Sequence, residues 1–182
     1  MSRHDCFESM PALGQGGRPH QERRGIPGNI GSVGRVVGAN DIEIERIGLD
    51  SDGAWIDVLE PDLPPTGVLH RATDRQTATS LIRALLSGPA ANERYSFGGC
   101  GDFASLRRPF EEQAIWRAHG LARRLKAGRP LLPSLWNQVA RLFEREDTWA
   151  AVAALAEALF KRGQMESPEI QAIIQLRLCG GR

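Results

Sequence analysis

The chain is expected to fold as a mainly helical α+β domain, a short β-hairpin followed by a helical bundle. Three observations lead there. Ala and Leu crowd the second half while aromatic residues make up only 6% of the chain, a balance that favours helices over a β-sandwich. Two short runs, "DIEIERIGL" and "AWIDVLE", flank the turn-forming "DSDG" and suit strands joined by a hairpin around Ser51–Gly53. Beyond Thr73, apolar residues recur at three- and four-residue spacing through several segments with recognisable starts and stops.

In chain order, residues 1–38 are rich in Gly, Pro and Arg around "GQGGRPHQERRGIPG". No apolar period stands out, so an irregular or disordered lead is expected. Residues 39–178 form the predicted domain and 179–182 a tail. Ile42, Ile44 and Ile47 approach strand alternation, and "PDLPPTG" breaks the sheet because proline cannot donate to a ladder. Leu81, Ile82, Leu85 and Leu86 make an apolar helical stripe that Gly88-Pro89 should end or interrupt. "YSFGGCGD" reads as a glycine-rich loop whose Asp102 caps the next helical stretch. Pro109 suits the first turn of a helix carrying Phe110, Ala114, Ala118, Leu121 and Leu125. Pro133-Ser134 opens another, with Leu135, Val139, Leu142 and Phe143 on one face. Trp149, Val152, Ala153, Ala156, Leu159 and Phe160 repeat the spacing until Gly163. Ser167, Pro168 and Glu169 then carry the residue types of a helix start.

Composition excludes several classes. A formal net charge of +1 supplies no global field for nucleic acid or an anionic membrane. Cys6, Cys100 and Cys179 are odd in number and far apart, which fits a reducing cytoplasm better than a disulfide framework. No apolar run approaches the ~20 residues of a membrane-spanning helix, and "MSRHDCFESM" has no signal-peptide core.

The run "GNIGSVGRVVG" has the look of a phosphate-binding loop but fails on spacing. A P-loop needs Lys followed by Ser or Thr, a pair found nowhere in the chain. A dinucleotide fingerprint needs G-x-G-x-x-G between a strand and a helix, and neither condition is met. Of His4, His20, His70 and His119, no two are four apart, so no H-E-x-x-H zinc helix exists. His70 and His119 read as surface or hydrogen-bonded structural residues. A Cys100–His119 nucleophilic pair would need folding to assemble it, without a supporting motif. Glu111-Glu112 and Glu144–Asp147 lie beside arginines on helical stretches, the setting of solvated surface pairs. Arg107-Arg108 and Arg123-Arg124 form a basic patch without interleaved aromatics.

Three segments in order carry a resemblance. "LIRALLSGPAANERYSFGGCGDFASL", through Leu85, Gly88, Ala90-Ala91, Phe97-Gly98, Gly101 and Asp102, resembles the "LAGRAAEELVFG…GASNDL" stretch of FtsH-type ATP-dependent zinc metallopeptidases. "WAAVAALAEALFKRGQMESPEIQAII" resembles that family's closing helices, and "VVGANDIEIERIGLD" the stretch after its zinc helix. The likeness spans about Val36 to Ile174. It implies a peptidase-like helical domain in which Asp102 stands where the family has an acidic zinc ligand, a role compatible with helix capping. The family's H-E-A-G-H would fall within Gly25 to Arg35, yet Gln21 to Val37 contains no histidine. Pro27, Gly28, Gly31 and Gly34 also disfavour a helix there, Gly by ~1 and Pro by ~3 kcal/mol relative to Ala. The family's ATPase motor has no counterpart motif. The expectation is a catalytically inactive, FtsH-type peptidase-like protein with no assigned catalytic residue and no cofactor. It would bind a protein partner or polypeptide, but neither nucleic acid nor membrane. The alternatives are an active zinc peptidase in which His20 or His70 joins Asp102, and an unrelated helical interaction module.

Overall fold

The computed structural model describes residues 27–38, 42–50, 53–59, 61, 63–105, 109–126, 128 and 130–179. Its hairpin is the expected one. Strand β1 (Ile44–Asp50) pairs antiparallel with β2 (Gly53–Val58), with Ile47 opposite Ile56, Gly48 opposite Trp55 and Asp50 opposite Gly53. A register shift between Ile44 and Arg46 accounts for the imperfect alternation of the sequence. Residues three apart in a regular strand face opposite ways, but a bulge inserts one extra residue and restores the phase. Ile44 and Ile47 are accordingly both buried. A third strand was not expected: β3 (Gln164–Glu166) pairs antiparallel with the other edge of β1, giving the order β2-β1-β3. Its middle residue, Met165, is buried between two exposed neighbours.

The largest correction concerns the lead. Pro27–Gly38 is a helix, α1, so the folded domain begins before residue 39. Residues 1–26, with His4 and His20, lie outside the described residues. Ile30, Val33, Val36 and Val37 of α1 are all buried, a three- and four-residue stripe that the surrounding glycines obscure. Those glycines have a packing role. α1 runs along helix α2 (Ala72–Phe97) in the opposite direction, with Gly31 beside Asn92 and Gly38 beside Ser87. A Cβ on Gly34 would sit 2.4 Å from Ala91 Cβ and 2.9 Å from the Ser87 carbonyl oxygen. Only hydrogen at that position lets the two backbones approach so closely, and burial of the apolar stripe offsets the helix propensity lost.

Helix α2 also departs from expectation by continuing through Gly88-Pro89 to Phe97. An internal proline removes one helical hydrogen bond and costs about 3 kcal/mol in an exposed helix. Here Ala84 to Ala91 are buried without a break, in a helix on which α1, α3 and α4 all pack, α1 meeting it at Ser87, Ala91 and Asn92. Tertiary burial overrides the local signal.

The remaining helices follow the sequence closely. They are α3 (Pro109–Arg124), α4 (Leu131–Glu144), α5 (Glu146–Arg162) and α6 (Ser167–Cys179). Helix α4 starts two residues before the predicted Pro133 and buries Leu135, Trp136, Val139 and Phe143. On α5 the buried face holds Thr148, Ala151, Val152, Leu155, Ala156 and Leu159, whereas Phe160 is exposed. Gly163, at φ +78, ends α5 and its N–H donates to the Leu159 carbonyl at 2.8 Å. At the start of α6 the Glu166 N–H donates to Glu169 Oε2 at 3.3 Å, half of a capping box set one residue earlier than Ser167. None of the described helices is long and apolar enough to cross a membrane.

Candidate functional site

Asp102 lies in the connection between α2 and α3. Gly98 ends α2 in the left-handed region, φ +79, and the chain folds back along the bundle. The Cys100 thiol donates to the Ala90 carbonyl at 3.4 Å, and Trp136 Nε1–H donates to the Gly101 carbonyl at 2.8 Å. Phe103 opens a single 3-10 turn (Phe103–Ser105), its ring centroid 6.1 Å from that of Trp136 and 6.0 Å from that of His119. Asp102 is exposed between these anchors, and the helical stretch that follows it is a single 3-10 turn. Its neighbours Gly101 and Phe103 are thus held by α4 and α3.

This arrangement brings Cys100, Asp102 and His119 to one region, but not as a nucleophilic site. Burial pushes the Cys100 thiol up to about 11, and Glu144 adds to the shift. An activated cysteine needs the opposite, a thiolate favoured by positive surroundings. At pH 8, native Cys100 is expected to react with iodoacetamide roughly 100-fold more slowly than the same thiol in the unfolded chain, because burial keeps it protonated. Peptide mapping separates it from Cys6 and Cys179; a rate equal to that of the unfolded chain would refute the assignment. The native thiol keeps its proton to higher pH than the unfolded one. Its contribution to stability is therefore whole below about 9.0 and lost as pH rises towards about 11.

No three His, Cys, Asp or Glu side chains gather as a metal site among the described residues. His70 is exposed ahead of α2 and His119 is exposed on α3. The residues Pro27–Gly38 of α1 include no His, Cys, Asp or Glu. A catalytic zinc normally takes three protein ligands and keeps one open position. Asp102 with the described histidines does not supply that set.

A second feature, not foreseen, is a groove of about 860 Å³ between the hairpin, the loop after it, α2 and α3. Ile42, Ile44, Ile56, Leu81, Leu85 and Leu121 form an aliphatic floor, and Arg35, Arg117, Arg123 and Arg124 line it as well. Arg117, Gly120, Leu121 and Arg124 recur at helical spacing, so one face of α3 supplies a whole wall. Arg124 donates to the carbonyls of Gly67, at 3.2 Å, and Pro64, pinning the proline-rich loop as the opposite wall. Arg35 has its pKa lowered by burial and by the neighbouring Arg117 charge.

No protein-family model and no curated protein matches this chain.

Arg123-Arg124 was visible in the sequence as a basic pair, while Arg107-Arg108 lies outside the described residues. Arg35 and Arg117 were missed because they are 82 positions apart and meet only through the packing of α1, α2 and α3. The available signal was local: Arg117 and Arg124 are seven apart on a helix, which places them on one face. The carboxylates behave as predicted where described, with Asp147 accepting from Arg145 Nη2 at 2.6 Å on the surface.

Proposed function

We propose that the chain is an FtsH-type peptidase-like domain without a working zinc site, which binds another polypeptide and does not cut it. One observation supports this reading above others. The resemblance calls for a zinc helix just ahead of Asp41, and a buried helix, α1, stands there without a single ligating side chain. Metal-assisted hydrolysis needs both the ligands and a base for the water, and α1 offers glycine, serine and valine instead. Large apolar side chains exposed at Trp116 (74%) and Phe97 (64%) offer contact area to a partner. The free Cys100 thiol suits a reducing compartment, and we place the protein in the cytoplasm on that ground.

The purified chain is expected to retain unfolded casein on a column, to leave it uncut, and to carry no stoichiometric zinc by elemental analysis. Stoichiometric zinc that disappears in Asp102→Ala, or cleavage of casein inhibited by a chelator, would overturn the reading in favour of an active peptidase. Failure to retain casein would overturn the binding role.

A further inference from the structure

Helix α5 carries more apolar surface than the bundle buries. Ala151, Val152, Leu155 and Leu159 face the core. Beside them runs a second row, Trp149, Ala153, Ala156 and Phe160, at spacings of four, three and four residues. That alternation lines the seam between two paired helices. The same four residues border one cleft of about 710 Å³, whose far wall comes from α1 and the end of α2. The wall is held in place: Arg94 lies over the Trp149 ring at 4.8 Å and donates to Glu146 Oε1 at 3.0 Å. At the other end of the row Phe160 is 56% exposed. One surface thus holds both a protruding aromatic ring and an apolar cleft.

We propose that this face pairs with the same face of a second copy of the chain, the two α5 helices lying antiparallel about a two-fold axis beside Ala154. Under that symmetry Phe160 of each copy enters the cleft of the other opposite Trp149, and Ala153 meets Ala156. Large side chains then close both ends of the seam, and small ones let the helices approach at its middle. A two-fold interface needs a patch that complements itself, which ring and cleft together provide. Charge selects the direction. Helix α5 opens with Glu146 and Asp147 and closes with Lys161 and Arg162. The Glu146 and Lys161 side chains are 90% and 68% exposed, so both reach outward. Antiparallel pairing sets the basic turn of each copy against the acidic turn of the other, whereas parallel pairing sets like against like. A strongly acidic or basic partner of another kind meets a like-charged end. Size sets the strength. A helix of 17 residues is ~25 Å long, and one such pair falls at the small end of specific interfaces, below ~1,200 Å² in total. The dimer is therefore reversible.

Sedimentation equilibrium of the full chain at low salt tests the proposal. A monomer–dimer equilibrium is expected, with a Kd on the order of micromolar. Phe160→Glu, an exposed position on the single chain, should raise that Kd at least tenfold with an unchanged circular-dichroism melt. Ala153→Glu, also exposed, serves in its place if that variant does not fold. Lys161→Glu sets acid against acid and should raise the Kd at least threefold, a difference that ~1 M salt removes by screening. Trp116→Ser, on the exposed face of α3, should leave the Kd unchanged. A chain that stays monomeric up to ~1 mM overturns the proposal. So does a dimer that forms as tightly in the folded Phe160→Glu or Ala153→Glu variant, or one that Trp116→Ser weakens as much. A dimer indifferent to Lys161→Glu at low salt overturns the antiparallel arrangement. Zinc content and casein retention play no part in this readout, so it stands or falls apart from the peptidase-like reading.

Discussion

Gly34→Ala is expected to destabilise the protein by about 2 kcal/mol, although alanine is the better helix former by ~1 kcal/mol. The added methyl would meet Ala91 Cβ at 2.4 Å and the Ser87 carbonyl oxygen at 2.9 Å. Neither neighbour can rotate away, since one is a bare methyl and the other is backbone. The helices must separate, and the buried stripe of Ile30, Val33 and Val37 loses contact with the core. For a chain of this length the loss corresponds to a fall in Tm of roughly 4–8 °C. Gly120→Ala on α3 supplies the control, because a Cβ there meets nothing within 4 Å. That variant should gain ~0.5–1 kcal/mol from helix propensity alone. Thermal melts of the two variants, moving in opposite directions, check the packing of α1; a shared sign would show that α1 is not pressed against α2.

Trp136→Ala should cost ~3–5 kcal/mol, the range for deleting a large buried aromatic side chain. Trp136 is 1% exposed, touches the Phe103 ring and donates to the Gly101 carbonyl. Trp136→Phe separates these contributions. It keeps most of the packing and removes one hydrogen bond, a loss of ~1 kcal/mol. Urea unfolding measures both changes. The phenylalanine variant should also free the turn that holds Cys100, so its alkylation at pH 8 should quicken more than its small loss of stability explains. If alkylation stays as slow as in the parent, the indole does not hold the loop.

Much of the fold was legible because its signals are local. The hairpin is marked by two β-rich runs around "DSDG", and helices α3 to α6 by stripes at helical spacing with proline or acidic residues near their starts. The misreadings have a common origin. In α1, glycines that look like loop residues are the contact surface of a buried helix; the helical period of Ile30, Val33 and Val37 was present but thinly spread. In α2, Gly88-Pro89 carries a strong break signal that flanking helices outweigh. In β3, three residues are too few to show alternation, and Met165 becomes a strand residue only because β1 presents an open edge. The candidate site was less legible still. Asp102 could be picked out, but its setting depends on Trp136, thirty-four positions away.

By itself, then, the sequence determined the mixed class, the hairpin, the later helices and the absence of any histidine between Gln21 and Val37. Those properties depend on residues within a few positions of one another, where steric and capping effects act directly. Tertiary structure alone decided that Pro27–Gly38 is a helix, that α2 passes its proline, and that Arg35 meets Arg117 beside an aliphatic floor. Each of these rests on burial between segments distant in the chain, a free energy that no local window contains.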